Sequence, residues 1–317
     1  MERRDFLKKS GRALALAAIT GSTGFYFHNR TTTTAAGSVI EMPRFEVARN
    51  PDLPGLALAR HENPIEAFRK SLDAIGGIGR FIEPGERVTI KPNVGWDRTP
   101  EQAANTNPLL VGEMVRQCLA AGADDVIVSD ITCNDARRTF IRSGIKDEAE
   151  RAGARVLLAA DDDFLQADLN GELLTTWPVL KYFIETDKFI NMPIVKQHSL
   201  SSCTIAMKNL YGILGGRRNQ LHQRIDQSIV DLAAFVRPTL TVVDATRVLM
   251  RGGPQGGSLA DVNIENSVLC ATDQVAADSR GVEFLGLRGE MVGHIVLAEK
   301  SGLGRIDYRQ AGYKEIV

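Results

Sequence analysis

The chain runs to 317 residues, 44% of them hydrophobic, enough to bury one large α/β core or two small ones. Its 38 basic and 39 acidic side chains leave a formal net charge of -1, so no basic field exists to attract nucleic acid, and a DNA or RNA partner has no electrostatic support. The 4 cysteines, Cys118, Cys133, Cys203 and Cys270, form no Cys-x-x-Cys pair, which argues against a structural zinc site or a ferredoxin-type iron–sulphur cluster.

At the N-terminus, Arg3-Arg4-Asp5-Phe6-Leu7-Lys8-Lys9 precedes a short apolar run over residues 13–19, interrupted soon after by Gly21 and Gly24. Paired arginines ahead of a weakly hydrophobic stretch resemble a twin-arginine export signal. The run is short of the roughly 20 apolar residues that a membrane span needs. No clean Ala-x-Ala site follows, so cleavage and retention as an uncleaved anchor both stay open. The expectation is export by the twin-arginine translocation machinery to the periplasm or another extracytoplasmic space. Membrane contact would come only through that N-terminal segment. Residues 1–38 are read as signal and linker, and residues 39–317 as the folded α/β domain. An exported location would permit disulfides, but Cys118 in a helical pattern and Cys270 in an apolar strand read as buried free thiols.

Helical periodicity marks residues 66–75 through Ala67, Phe68, Leu72 and Ile75. The turn Pro84-Gly85-Glu86 then leads into a strand over 87–90 that ends in Lys91-Pro92-Asn93. Asn107-Pro108 opens a helix that Gly122 closes. Residues 126–128 form a short apolar strand ending in Ser129-Asp130, followed by a helix over 136–151 and a strand over 155–159. A hairpin-like excursion with Pro178 at an edge occupies 171–179, and the strand 188–195 returns to the core. A helix over 218–236, a strand over 240–243 ending in Asp244, and a Gly-rich loop over 251–257 come next. The strand 268–271, a helix capped by Thr272-Asp273 and running to residue 285, and a last helical piece over 295–300 complete the pattern. Alternating strands and helices predict an α/β fold: a mostly parallel sheet with flanking helices, as one unit or as two subdomains with the site at the rim between them.

Ligands of open α/β sheets sit beyond the carboxyl ends of the strands. Here those ends carry Lys91, Asn93, Ser129, Asp130, Lys196, His198, Asp244 and Asp273. Around the bend made by Gly212, Gly215 and Gly216, Lys208 lies ten residues after His198, and His222 fourteen after that. His198 suits acid/base work or metal ligation, and His222 a metal ligand or an exposed helix histidine. Lys208, between Met207 and Leu210, is either a partly buried nucleophile or Schiff-base former, or the partner of an aspartate at the rim. Lys91 and Asn93 suit a small anionic ligand. The loop 252–257 is a plain turn or a source of amides for an anion. Asp273 reads as a helix cap, with Asp278 reaching the interior. No Walker motif, correctly placed Gly-x-Gly-x-x-Gly or Gly-x-Ser-x-Gly elbow is present, so nucleotide binding and serine hydrolysis are not indicated.

Four segments together, Val88-Thr89-Ile90-Lys91-Pro92-Asn93, residues 191–198, Met207-Lys208-Asn209-Leu210-Tyr211-Gly212 and residues 272–278, resemble the family labelled domain of unknown function 362, over roughly residues 40–317. Many relatives carry ferredoxin-like cysteine clusters, and this chain does not. That family label implies little chemistry; Lys91, Asn93, Asn209 and Asp278 are taken as the cofactor-binding candidates. The His198…Lys208…His222 spacing is also similar to that of the nickel-pincer lactate racemases. That likeness implies Lys208 as the point of cofactor attachment, His222 as a nickel ligand and His198 as acid/base, although Ala206-Met207 stands where that family has Gly-Gly. The resulting expectation is an exported enzyme, dependent on a cofactor or a transition metal (nickel or iron). It would perform redox, proton or hydride transfer on a small anionic substrate. The alternative is a non-catalytic periplasmic protein that binds a small anion or metal, or serves assembly.

Overall fold

The computed structural model describes residues 40–317, so the expected signal and linker lie outside the described residues. Strand β1 (Leu56–Arg60) is followed by α1 (Pro64–Ala74), β2 (Arg87–Pro92), α2 (Pro108–Ala120) and β3 (Asp125–Val128). Then come α3 (Ala136–Arg142), α4 (Ile145–Ala152), β4 (Arg155–Val156), β5 (Phe164–Asp168) and β6 (Thr176–Leu180). The chain continues through β7 (Lys188–Met192), β8 (Ile194–His198), β9 (Ser202–Thr204), α5 (Ala206–Asn209) and α6 (Ile225–Phe235). It ends with β10 (Leu240–Leu249), β11 (Val262–Ala271), α7 (Gln274–Gly281), α8 (Gly293–Lys300) and β12 (Tyr313–Ile316).

The main sheet has the order β12-β1-β11-β10-β7-β2-β3-β4, with β8 paired to β10 and β9 to β8. Pairing is parallel from β10 through β7, β2 and β3 to β4, and antiparallel where β11 meets β1 and β10. It is an α/β fold with a mostly parallel sheet, as the strand–helix alternation predicts. Alternate residues face opposite sides: Ala57, Ile190, Val242 and Cys270 join one apolar cluster, and Leu58, Phe189, Val243 and Leu269 the other. Helices α1 to α4 cover the first side, α5 to α8 the second. The described residues, 40–317, form one compact unit.

Local chemistry explains where the elements begin and end. Asn107 caps α2 by accepting from the Leu109 amide, and Pro108 follows at the first turn, where its missing N–H costs nothing. The helix expected over 136–151 is two helices. Gly144, at φ +73°, takes the left-handed conformation that ends α3. The helix expected over 218–236 also divides: Arg218–His222 is a 3₁₀ turn, and Arg224 leaves helical geometry before α6. Pro193 interrupts the strand expected over 188–195, so Lys196 and His198 lie within a second strand, β8, which forms a hairpin with β9. β10 continues past Asp244 to Leu249, so Asp244 is mid-strand, not at a rim. All 4 cysteines are free, with Cys118, Cys203 and Cys270 buried. No helix among the described residues is long and apolar enough to cross a membrane.

Candidate functional site

A cavity of about 540 Å³ opens where β2 and β3 end, beside β8 and beneath the segment from α5 to His222. Lys91, Asn93, Asp130, Lys196, His198, Lys208, Asn209 and His222 all line it. Parallel strands deliver this convergence: β2, β3 and β8 present the same end to one edge. Asp273 does not join them, because β11 runs antiparallel and carries it to the opposite edge, where it caps α7 and accepts from the Arg305 amide. Asp244 stays buried within the sheet, accepting from the Asn107 amide and from Thr246.

Three lysines share the cavity, and their acceptors separate their jobs. An ammonium has three donors. Lys91, fully buried, uses all of them: Asp130 Oδ1 at 2.7 Å, the Pro92 carbonyl at 3.0 Å and Asn209 Oδ1 at 3.1 Å. Burial pulls its pKa down, and the Asp130 carboxylate pulls the other way. Lys91 is therefore a buried strut rather than the anion-holding group the sequence suggests. Lys196 donates to Asn93 Oδ1 at 2.8 Å and to the Ala104 carbonyl at 2.7 Å, which leaves one donor. Burial lowers its pKa to about 7. Lys208 has no hydrogen-bond or carboxylate partner among the described residues. Its Nζ lies 3.4 Å from the centroid of the Tyr211 ring, and the residue is 7% exposed. Burial, helped by Arg218, Lys196 and Lys91, brings it to about 7. The aspartate expected as a possible partner of Lys208 belongs instead to Lys91.

Beneath the lysines runs a chain of amides. Asn93 Nδ2 donates to Asn209 Oδ1, Asn209 Nδ2 to Asn191 Oδ1, and Asn191 Nδ2 to the Ala206 carbonyl, at 2.8, 2.8 and 2.9 Å. Asn93 and Asn209 thus face the cavity but engage one another. Asp278, a candidate for cofactor contact, does not line it. Its carboxylate is fully buried behind α5 and accepts from the Ala206 and Met207 amides at 2.5 and 3.2 Å. Burial raises its pKa to about 6. It holds the turn that carries Lys208.

The two histidines face each other, ring centroids 6.4 Å apart and planes inclined by 14°. His198 Nδ1 accepts from the Leu200 and Ser201 amides at 3.1 and 3.4 Å, so the proton of the neutral ring sits on Nε2. Burial, with Lys208 next, pushes His198 down to about 3 and also lowers His222. With one nitrogen occupied and the other protonated, His198 is a donor and not the metal ligand expected of it. Among the described residues no group of three or more His, Cys, Asp or Glu side chains is placed to hold a metal ion. A nickel or iron ion held by protein side chains alone does not fit this donor set.

Gly212 of the bend answers to a close approach within the protein. A Cβ on Gly212 would stand 1.8 Å from Asp130 Oδ1 and 2.7 Å from Lys91 Nζ, so the close approach is to that ion pair. The Gly253 amide is taken by Gln197 Oε1 at 2.8 Å, which removes it from any anion-binding role. Sequence reasoning passed over Tyr211 and Arg218. Tyr211 floors Lys208, and Arg218 ties the cavity wall to the Ile131 and Thr132 carbonyls. The Met-Lys-Asn-Leu-Tyr-Gly run was the available signal for Tyr211.

Residues 88–283 match the family described as domain of unknown function (DUF362). The chain belongs to that family. The matched span of this DUF362 protein contains every lining residue named above. A thylakoid-associated protein of Synechocystis sp. is 24% identical over 253 residues, 75% of each chain. Among solved structures, the lactate racemase apoprotein of Thermoanaerobacterium thermosaccharolyticum aligns over 77% of this chain with 13% identity and a TM-score of 0.41. A protein of Thermotoga maritima aligns over 71% with 11% identity and a TM-score of 0.40. This DUF362 chain spans 58% of the length of each of those two structures.

Proposed function

We propose that the cavity is the active site of an enzyme that holds a small anionic substrate and moves a proton to or from it through Lys208. One observation carries the reading. Lys208 is a buried amine, lowered to about 7, with no hydrogen-bond or carboxylate partner among the described residues, while the neighbouring Lys91 and Lys196 are engaged. A base or acid works best with a pKa near the operating pH. Lys196 keeps one donor for a carboxylate or phosphate, and His198 offers its Nε2–H. His222, which shares the Tyr211 ring with Lys208, is the second proton carrier. If a cofactor is attached, Lys208 would hold it beside His222, and the group would supply redox or hydride chemistry.

The test is binding and exchange. Small carboxylates and inorganic phosphate should raise the melting temperature, and a 2-hydroxy or 2-oxo acid should acquire solvent deuterium, in wild type but not in Lys208→Ala. Absence of any stabilisation by small anions would sink the reading. Stabilisation without exchange would favour a binding or assembly protein. Lys208→Ala should also lose any attached cofactor, and full retention would rule out attachment at that lysine.

We read the protein as exported by the twin-arginine machinery, on the strength of Arg3-Arg4 and of a relative named as thylakoid-associated. Replacing Arg3 and Arg4 by lysine should leave the protein in the cytoplasm of its host.

A further inference from the structure

We infer that Lys208 forms a reversible imine with a small carbonyl acid, a 2-oxo or aldehydic carboxylate, seated in the cavity. This rests on the anion and proton-transfer reading and narrows its substrate class. An amine attacks a carbonyl only through an unprotonated nitrogen, and of the three lysines only Lys208 has its nitrogen unclaimed. Lys91 has three acceptors and a carboxylate, and Lys196 has two acceptors. The Tyr211 face below Lys208 attracts a cation, by about 0.5–2 kcal/mol. Burial opposes that attraction and lowers the amine to about 7, with Arg218, Lys196 and Lys91 acting in the same direction. At pH 7 that leaves on the order of a thousandfold more neutral amine than on an exposed lysine.

The rest of the cavity matches the other parts of such a substrate. The unspent donor of Lys196 and the Nε2–H of His198 suit the carboxylate. The volume of about 540 Å³ lies within the usual range for small-molecule sites. Nζ bonds to the carbonyl carbon while the C=O π pair moves to oxygen. A proton then passes from nitrogen to that oxygen, with His222 placed to carry it, and gives a carbinolamine. Breaking the C–O bond releases water bearing both amine hydrogens and leaves Nζ=C. No oxidant or reductant is consumed. Protonated on nitrogen, the imine withdraws electrons and acidifies the neighbouring C–H, so Lys208 then serves the proposed proton transfer as the electron-withdrawing nitrogen and His222, across the Tyr211 ring, takes the proton.

The experiment treats the purified full chain with pyruvate or glyoxylate and sodium cyanoborohydride, which locks an imine as a secondary amine. Intact mass and peptide mapping follow, beside melting curves with the same acids. The expected result is one adduct, on Lys208, absent in Lys208→Met and Lys208→Arg, with both variants checked for fold by circular dichroism. Adducts at Lys196, or spread over surface lysines at equal rates, would overturn the inference. So would a Lys208 already modified in protein from the native host. Stabilisation by the acids without an adduct would overturn the imine and keep the anion site, whereas neither stabilisation nor adduct would remove both.

Discussion

At the scale of single residues, the unusual feature is a lysine whose charge is disfavoured by where the fold puts it. Lys208 titrates near 7 in the folded protein and near 10.4 when unfolded. Between those values the unfolded chain binds more protons, so stability rises with pH. The contribution is complete above the unfolded value and is lost as pH falls through about 7. Lys208→Met removes the group from the balance. The variant should be more stable than wild type at pH 7, by roughly 2–4 kcal/mol, with the gap closing towards pH 10. Lys196 is electrostatically coupled to Lys208, so its own titration changes in the variant and the difference reports the pair. Melting curves at matched pH values decide the matter. A gap that does not change with pH would mean that Lys208 keeps its proton.

At the scale of elements, the site depends on α5, a turn too short to be stable alone. Asp278 holds its amino end, the Asn93–Asn209–Asn191 chain ties its underside, and Gly212 lets the following turn close over Lys91 and Asp130. Gly212→Ala would drive a Cβ into that ion pair. Forcing an extra methyl into a packed site costs about 1–3 kcal/mol, and denaturant unfolding should show a loss of that size; a variant as stable as wild type would mean that the backbone can move aside. The elements nearest the site were also the most legible. β2, β3 and α2 carry strong apolar periodicity and capping signals, and the His198…Lys208…His222 spacing points to three residues that do share a cavity. β1 and β12 were not foreseen, because each exists only through a partner far away in sequence. The β8–β9 hairpin was hidden by reading residues 188–195 as one strand across Pro193. Asp130 was visible as a rim residue, but its partner was not, because sequence does not say which of several lysines reaches a carboxylate.

At the scale of the whole molecule, the question is whether the cavity and the separate β5–β6 sheet unfold together. Chains of this size often populate intermediates, and β5–β6 pairs only with itself in the named sheets. Its core, however, is not its own. Ala167, Val179 and Leu180 belong to the same apolar cluster as Phe189, Val243 and Leu269 of the main sheet, and Trp177 packs against that cluster. Exposing one side would leave the other with an open apolar face, so the two should melt in a single step. The 2 tryptophans report the two regions separately: Trp96 lines the cavity, and Trp177 lies in β6 with Nε1 donating to the Gly215 carbonyl at 3.0 Å. Trp96→Phe and Trp177→Phe each leave one reporter. Their fluorescence transitions should coincide, and a ligand at a hundred times its dissociation constant should raise both by about 2.7 kcal/mol. An earlier Trp177 transition that the ligand does not shift would make β5–β6 an independent module and place the ligand's stabilisation in the main sheet alone.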